Sequence, residues 1–172
     1  AYQIAHLGEG SYDHIQDVVA WPDAPEPETS VSLHDPAPYQ SATGLRVIKA
    51  HGKANQVPYH PEAKYLCIVR DPKDVFVSSY HFLKVLFLGQ TMPSVATWLD
   101  LFLSKHATQG VWHEFVASWW PLRHEPNVLF MTYESMKAES SRAMEKIADV
   151  MGVDLTADLH TRVQHLSSFA HM

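Results

Sequence analysis

The sequence predicts an α/β domain with a mainly parallel sheet flanked by helices. Three observations fit this expectation. The apolar run Tyr65-Leu66-Cys67-Ile68-Val69 has the length and β-branched content of a strand buried on both faces. A second apolar run, residues 128–133, reads as another strand. The long stretch between them carries helical spacing, and two apolar strands separated by helices fit parallel order.

Composition narrows the class. The chain has 172 residues, enough for one domain with a real core, and the whole of 1–172 is read as a single domain. Hydrophobic residues make up 46% and charged residues 19%, a globular balance. The net charge of -6 argues against general nucleic-acid or anionic-membrane binding, while leaving room for a local basic pocket. The single cysteine, Cys67, excludes a disulfide framework and suits a reducing compartment. With no run of eighteen apolar residues and no signal peptide pattern in this sequence, a soluble cytoplasmic protein is expected. The 12 histidines include the pairs His160/His165 and His106/His113, but neither has an HExxH pattern or cysteine partners, so no metal site is expected.

Taken in order, residues 1–7 read as the middle of an amphipathic helix with no capping residue before it, so the sequence is expected to be a piece of a longer chain. Gly8 and Gly10 end that segment, and residues 13–21 form a short element ending in Trp21. Residues 22–44 hold Pro22, Pro25, Pro27, Pro36 and Pro38 and read as a loop. Residues 45–51 alternate enough to be a strand, on which Lys49 and His51 would share one side. A cation beside an imidazole suits acyl, phosphoryl or sulfuryl transfer; the plain alternative is a strand end with two solvent-facing polar residues.

The junction after the 65–69 run is more specific. Arg70 stands where the strand would end, Asp71 is a good N-cap, and Pro72 suits the first helical position. Asp74 stands three residues after the cap, a variant of the capping box. A helix start beside an Arg offers N–H groups, a positive dipole end and a planar fork of donors to an anion, and Ser78 could add a hydroxyl two turns in. The plain alternative is an ordinary capped helix after a buried strand. Beyond Phe82 the wide apolar run 83–88 reads as core, with an acceptor pocket as the other option. Helices follow over 94–106, capped by Ser94, and over 110–123, with an aromatic stripe of Trp112, Phe115, Trp119 and Trp120. Pro126 and Asn127 break the chain before the 128–133 strand. Two more helices span 139–151, stopped by Gly152, and 155–166, capped by Thr156.

The segment RDPKDVFVSSYHF resembles the 3′-phosphate-binding motif of the cytosolic-type sulfotransferases, which use 3′-phosphoadenosine-5′-phosphosulfate (PAPS). The resemblance implies that Arg70 and Ser78 hold the 3′-phosphate. RVIKAH resembles the family's R-x-I-K-T-H segment, which implies that His51 is the general base and that Lys49 assists transfer; Ala50 stands in place of the common Thr. GVWHEFVASWW and VLFMTYESMK are similar to further family segments, the second implying that Tyr133 approaches the adenine. SSFAHM resembles the family's adenine-holding segment and implies that role for Ser167 and Phe169.

Four stretches in family order, 45–51, 64–82, 110–137 and 167–172, thus point to a nucleotide-kinase-like, P-loop-related sulfotransferase fold. They imply transfer of a sulfuryl group from PAPS to a hydroxyl or amine of a small-molecule acceptor, with PAP as product. No nucleic-acid or membrane partner is implied, and homodimer formation stays open. The family's sulfate-binding loop, commonly PKSGTTW, and its C-terminal Gly-rich segment do not occur in this sequence, so the fold is expected to be incomplete here. The alternative from a different class is a truncated, non-catalytic nucleotide-binding remnant. A nucleotide kinase is a weaker option, since no Walker A sequence is present.

Overall fold

The two apolar runs pair with each other. In the computed structural model, which describes residues 1–24, 27–35, 40–104 and 111–168, the element order is α1 (Tyr2–Ala5), β1 (Tyr65–Val69), α2 (Pro72–Leu83), α3 (Val95–Leu103), α4 (Trp112–Trp119), β2 (Val128–Thr132), α5 (Tyr133–Ala138), α6 (Ser140–Met151) and α7 (Ala157–Leu166). β1 and β2 run parallel in a register from Tyr65 opposite Val128 to Val69 opposite Thr132. A parallel connection requires a crossover, and among the described residues three α-helices lie in it. The α/β expectation therefore holds, with two paired strands among the described residues.

Strand periodicity sends alternate side chains to opposite faces. Leu66, Leu129 and Met131 pack against a buried cluster of Ile4 and Ala5 from α1, Met144, Ile147, Ala148 and Met151 from α6, and Leu159 and Val163 from α7. The α6 members recur at i, i+3, i+4 and i+7, a single apolar face. On the other face Tyr65 meets Trp119 and Phe130 meets Trp120. Cys67, on that face, is buried, and burial pushes its thiol up to about 12. α6 ends on Gly152 in the left-handed conformation (φ 71°), and Thr156 caps α7 by accepting from the Leu159 N–H. No helix among the described residues is long and apolar enough to cross a membrane.

Two expectations are corrected. Residues 45–51 form no strand; one parallel bridge joins Ile48 to Ala20, with the Lys49 N–H donating to the Ala20 carbonyl at 2.9 Å. The partner segment cannot extend the ladder, because Pro22 lacks an N–H and the chain turns there, the Ala24 N–H reaching the Trp21 carbonyl at 3.1 Å. The 83–88 run is not core either. It forms a π-helical turn over Lys84–Leu88, with Val85 79% and Phe87 64% exposed. Apart from Lys84 its sequence is apolar, and Val85, Leu86, Phe87 and Leu88 are exposed among the described residues.

The α6 face generates a stability prediction. Ile147→Ala should leave a void between α6 and the sheet and lower unfolding free energy by about 2–4 kcal/mol. Denaturant titration followed by far-UV circular dichroism checks this; a midpoint unchanged at constant slope would place the core elsewhere.

Candidate active site

Both strands end at the same level, and the residues that follow them meet. Arg70 leaves β1 and Tyr133 leaves β2, and the guanidinium lies over the Tyr133 ring at 4.9 Å from its centroid. They line an open cleft of about 340 Å³ with Asp74, Glu134, Lys137 and Ala138. Tyr133 and Lys137 share one face of α5, and Asp74 and Ser78 share one face of α2, since residues four apart are helical neighbours. The cleft lies at the carboxyl ends of parallel strands, where open α/β sheets bind ligands.

The start of α2 differs from the sequence reading in one detail. Asp71 is the N-cap and Pro72 opens the helix, as expected, with the Asp71 carboxylate accepting from the Lys73 N–H at 2.8 Å. Asp74 does not close a capping box. The Asp71 N–H donates instead to Glu134 Oε1 at 2.9 Å, and Asp74 faces Arg70 at 3.4 Å. A capping box favours Glu or Gln; the shorter Asp74 turns to the neighbouring cation while Glu134 reaches across from α5. The helix start is thus partly closed by carboxylates, so Arg70 and Lys137 are the groups in the cleft with positive charge to offer.

The Arg70–Asp74 pair is weak. Its side chains are 35% and 56% exposed, and such pairs contribute about 0–1 kcal/mol. The Arg70 Nε is buried and has no hydrogen-bond partner among the described residues. A buried donor without a partner costs free energy. Ser78 is exposed on α2. Ser167, exposed, ends α7 and is not among the residues that line the cleft; Phe169 lies outside the described residues.

A second cluster gathers on Trp21. The Lys49 ammonium sits over the Trp21 ring at 3.5 Å from its centroid, and the His51 ring meets it edge-on at 5.0 Å. Although 45–51 is not a ladder strand, the extended backbone still puts Lys49 and His51 on one side. Burial against the indole lowers the pKa of His51, the nearby Lys49 lowers it further, and Asp23 opposes both. Burial also lowers Lys49, again opposed by Asp23. Both side chains keep an open side to solvent. At neutral pH His51 is therefore held as the neutral imidazole, the form that accepts a proton.

α4 ties the two clusters together. The Trp112 Nε1–H donates to the Arg70 carbonyl at 3.0 Å. Farther along, Trp119 Nε1–H donates to the Gly52 carbonyl at 3.1 Å, Ser118 Oγ accepts from the Ala54 N–H at 3.0 Å, and Lys53 pairs with Glu114 at 3.0 Å. The aromatic stripe, which reads from sequence as packing, thus also carries indole donors that position both segments. Sequence reasoning missed Asp23, Glu134 and Lys137. Only the i, i+4 spacing of Tyr133 and Lys137 could have signalled the last; the other two depend on contacts across the chain.

Comparison with known proteins settles the family. The sulfotransferase domain model matches residues 6–172, and the chain belongs to the sulfotransferase family. Rat sulfotransferase 2A1 is 31% identical over 172 residues, 95% of this chain and 58% of that protein; rat sulfotransferase 1C2 is 27% identical, covering 92% and 53%. Among solved structures, mouse sulfotransferase SULT7A1 complexed with PAP superposes with a TM-score of 0.66 at 28% identity, covering 74% of this chain and 46% of that one. Retinol dehydratase in complex with androsterone and PAP gives 0.68 at 25% identity, covering 87% and 48%. The chain spans a little over half the length of the curated relatives it matches.

The α4 brace is testable. Trp112→Phe keeps an aromatic ring, though a smaller one, and removes the donor to the Arg70 carbonyl. It should cost about 1–2 kcal/mol of stability, the cost of an unmade part-buried hydrogen bond. A thermal melt should show the loss, and hydrogen exchange should show faster opening at residues 69–72 than in the α6–α7 core. Uniform change across both regions would deny Trp112 this local role.

Proposed function

We propose that the whole protein is a PAPS-dependent sulfotransferase that moves a sulfuryl group to a hydroxyl or amine of a small-molecule acceptor. The observation that carries the reading is the stacking of Arg70 on Tyr133 in a cleft at the strand ends, with a guanidinium donor still without an acceptor. A nucleotide bearing a ribose phosphate fits those residues. The anion would exchange the weak, exposed Asp74 contact for charge-assisted bonds to a planar fork, about twice as strong as neutral ones. The adenine would use the Tyr133 side. Lys137 offers a second cation, Ser78 a hydroxyl from the same helix as Asp74, and Ser167 and Phe169 are proposed at the adenine on family likeness.

PAPS, when bound, supplies an activated sulfuryl group. The chain's part in the chemistry falls to the Trp21 cluster. His51, neutral through burial and the adjacent Lys49, takes the proton of the acceptor hydroxyl or amine as that atom attacks. Lys49 balances negative charge at the transferring group; burial lowers its pKa and Asp23 opposes that shift. The solved relatives crystallised with retinol or androsterone support a small organic acceptor. A reducing cytoplasmic compartment suits the buried free Cys67.

Two measurements test this. Arg70→Ala should weaken binding of 3′-phosphoadenosine-5′-phosphate by about 10- to 100-fold, the worth of a lost charged hydrogen bond, while adenosine 5′-phosphate, lacking the 3′-phosphate, should bind both forms alike. Equal loss for both nucleotides would move the 3′-phosphate away from Arg70.

His51→Ala should lower kcat roughly 10²- to 10⁴-fold with nucleotide binding intact. Because the imidazole must be neutral to act and its pKa is lowered, wild-type activity should fall only as the pH drops below the usual histidine range. Normal turnover in His51→Ala would overturn the assignment.

A further inference from the structure

We propose that Asp23 is the positioning residue for the proton-accepting His51, holding its backbone in place and setting the charge around its ring. This rests on the reading of His51 as the base. Asp23 lies in the turn after Trp21, and its Oδ2 accepts the His51 backbone N–H at 2.6 Å across 28 residues of chain. The same turn carries the indole on which both Lys49 and the His51 ring rest. One short turn therefore presents a wall to the two working side chains and a carboxylate to the backbone between them.

The His51 segment has no strand ladder to hold it, so its backbone is fixed group by group. Lys49 N–H donates to Ala20, His51 N–H to Asp23, and the Gly52 carbonyl accepts from Trp119. Of these contacts only Asp23 is charged, and only Asp23 touches His51 itself. A carboxylate accepting an N–H makes a stronger bond than a neutral oxygen would. Just past His51, a Cβ on Gly52 would meet the Val57 side chain at 3.0 Å, so the backbone there packs closely against its neighbours. The charged groups acting on the His51 ring are Lys49, beside it on its own segment, and Asp23 from the facing turn. Their effects oppose: Asp23 raises the basicity of the imidazole, which burial and the adjacent ammonium lower.

The two roles separate experimentally. Asp23→Asn keeps an oxygen for the His51 N–H and removes the charge; Asp23→Ala removes both. In the whole protein, Asp23→Asn should retain kcat within a few-fold at the pH optimum but move the acid limb of the kcat profile to lower pH, because the carboxylate no longer raises the histidine. That displacement should shrink at high salt, where an exposed charge is screened. Asp23→Ala should lose about ten- to hundredfold in kcat, as a displaced base does, with the affinity for 3′-phosphoadenosine-5′-phosphate unchanged. If Asp23→Asn leaves the acid limb where it was, Asp23 does not set the charge at the ring; if Asp23→Ala keeps full kcat while His51→Ala is dead, it does not hold the backbone; either result overturns the proposal and leaves the base assignment standing. If His51→Ala itself turns over normally, the underlying reading fails instead.

Discussion

Everything at the site depends on the parallel register of β1 and β2. Val69 opposite Thr132 makes the strands end together, so the next residue on one side is a guanidinium and on the other a phenol. A slip of one residue would send Leu129 and Met131 away from the α6–α7 core and turn Tyr133 off Arg70 at the same time. The core face therefore enforces the site: burying Leu66, Leu129 and Met131 fixes which residues stand at the strand tips. Asn127 reinforces this just before β2, where it is buried and bonded through its side chain to Tyr59, His60 and Ala63.

Electrostatics at the strand tips rest on side chains more than on the helix end. Asp71 and Glu134 take N–H groups at the start of α2, so the macrodipole there already meets internal carboxylates. What remains is a guanidinium on an aromatic ring, loosely held by Asp74, with a lysine nearby. The Trp21 cluster works by a different balance. There an indole removes water from a lysine and a histidine together, and one carboxylate limits how far each is shifted. α4 spans the two arrangements and is hydrogen-bonded to both, so their separation is set by one short helix rather than by the loops themselves.

Much of this was legible in the sequence, for reasons that can be stated locally. The strands at 65–69 and 128–133 (the second ends one residue earlier, where Tyr133 opens α5), the Asp71-Pro72 helix start, the Ser94 and Thr156 caps and the Gly152 stop all follow from neighbours within four residues. The same-side placement of Lys49 and His51 was also readable, since it needs only an extended backbone. What the sequence could not show were pairings across the chain. Residues 45–51 have a strand's alternation, but whether a partner segment can continue the ladder depends on Pro22, far upstream. Asp74 sits where a capping box wants an acid, yet Glu134, 63 residues from Asp71, takes that role. The 83–88 run is apolar enough for a core, but its π-turn leaves it outside, which hydrophobicity alone does not report.

Cys67 gives the sheet a built-in reporter. It sits three residues before Arg70 on the strand whose register sets the cleft, and its thiol stays protonated far above neutral pH. A buried thiol of this kind reacts with thiolate-directed reagents chiefly when β1 opens. The alkylation rate of this one sulfur atom measures how often the strand carrying Arg70 lifts away, without any label being introduced.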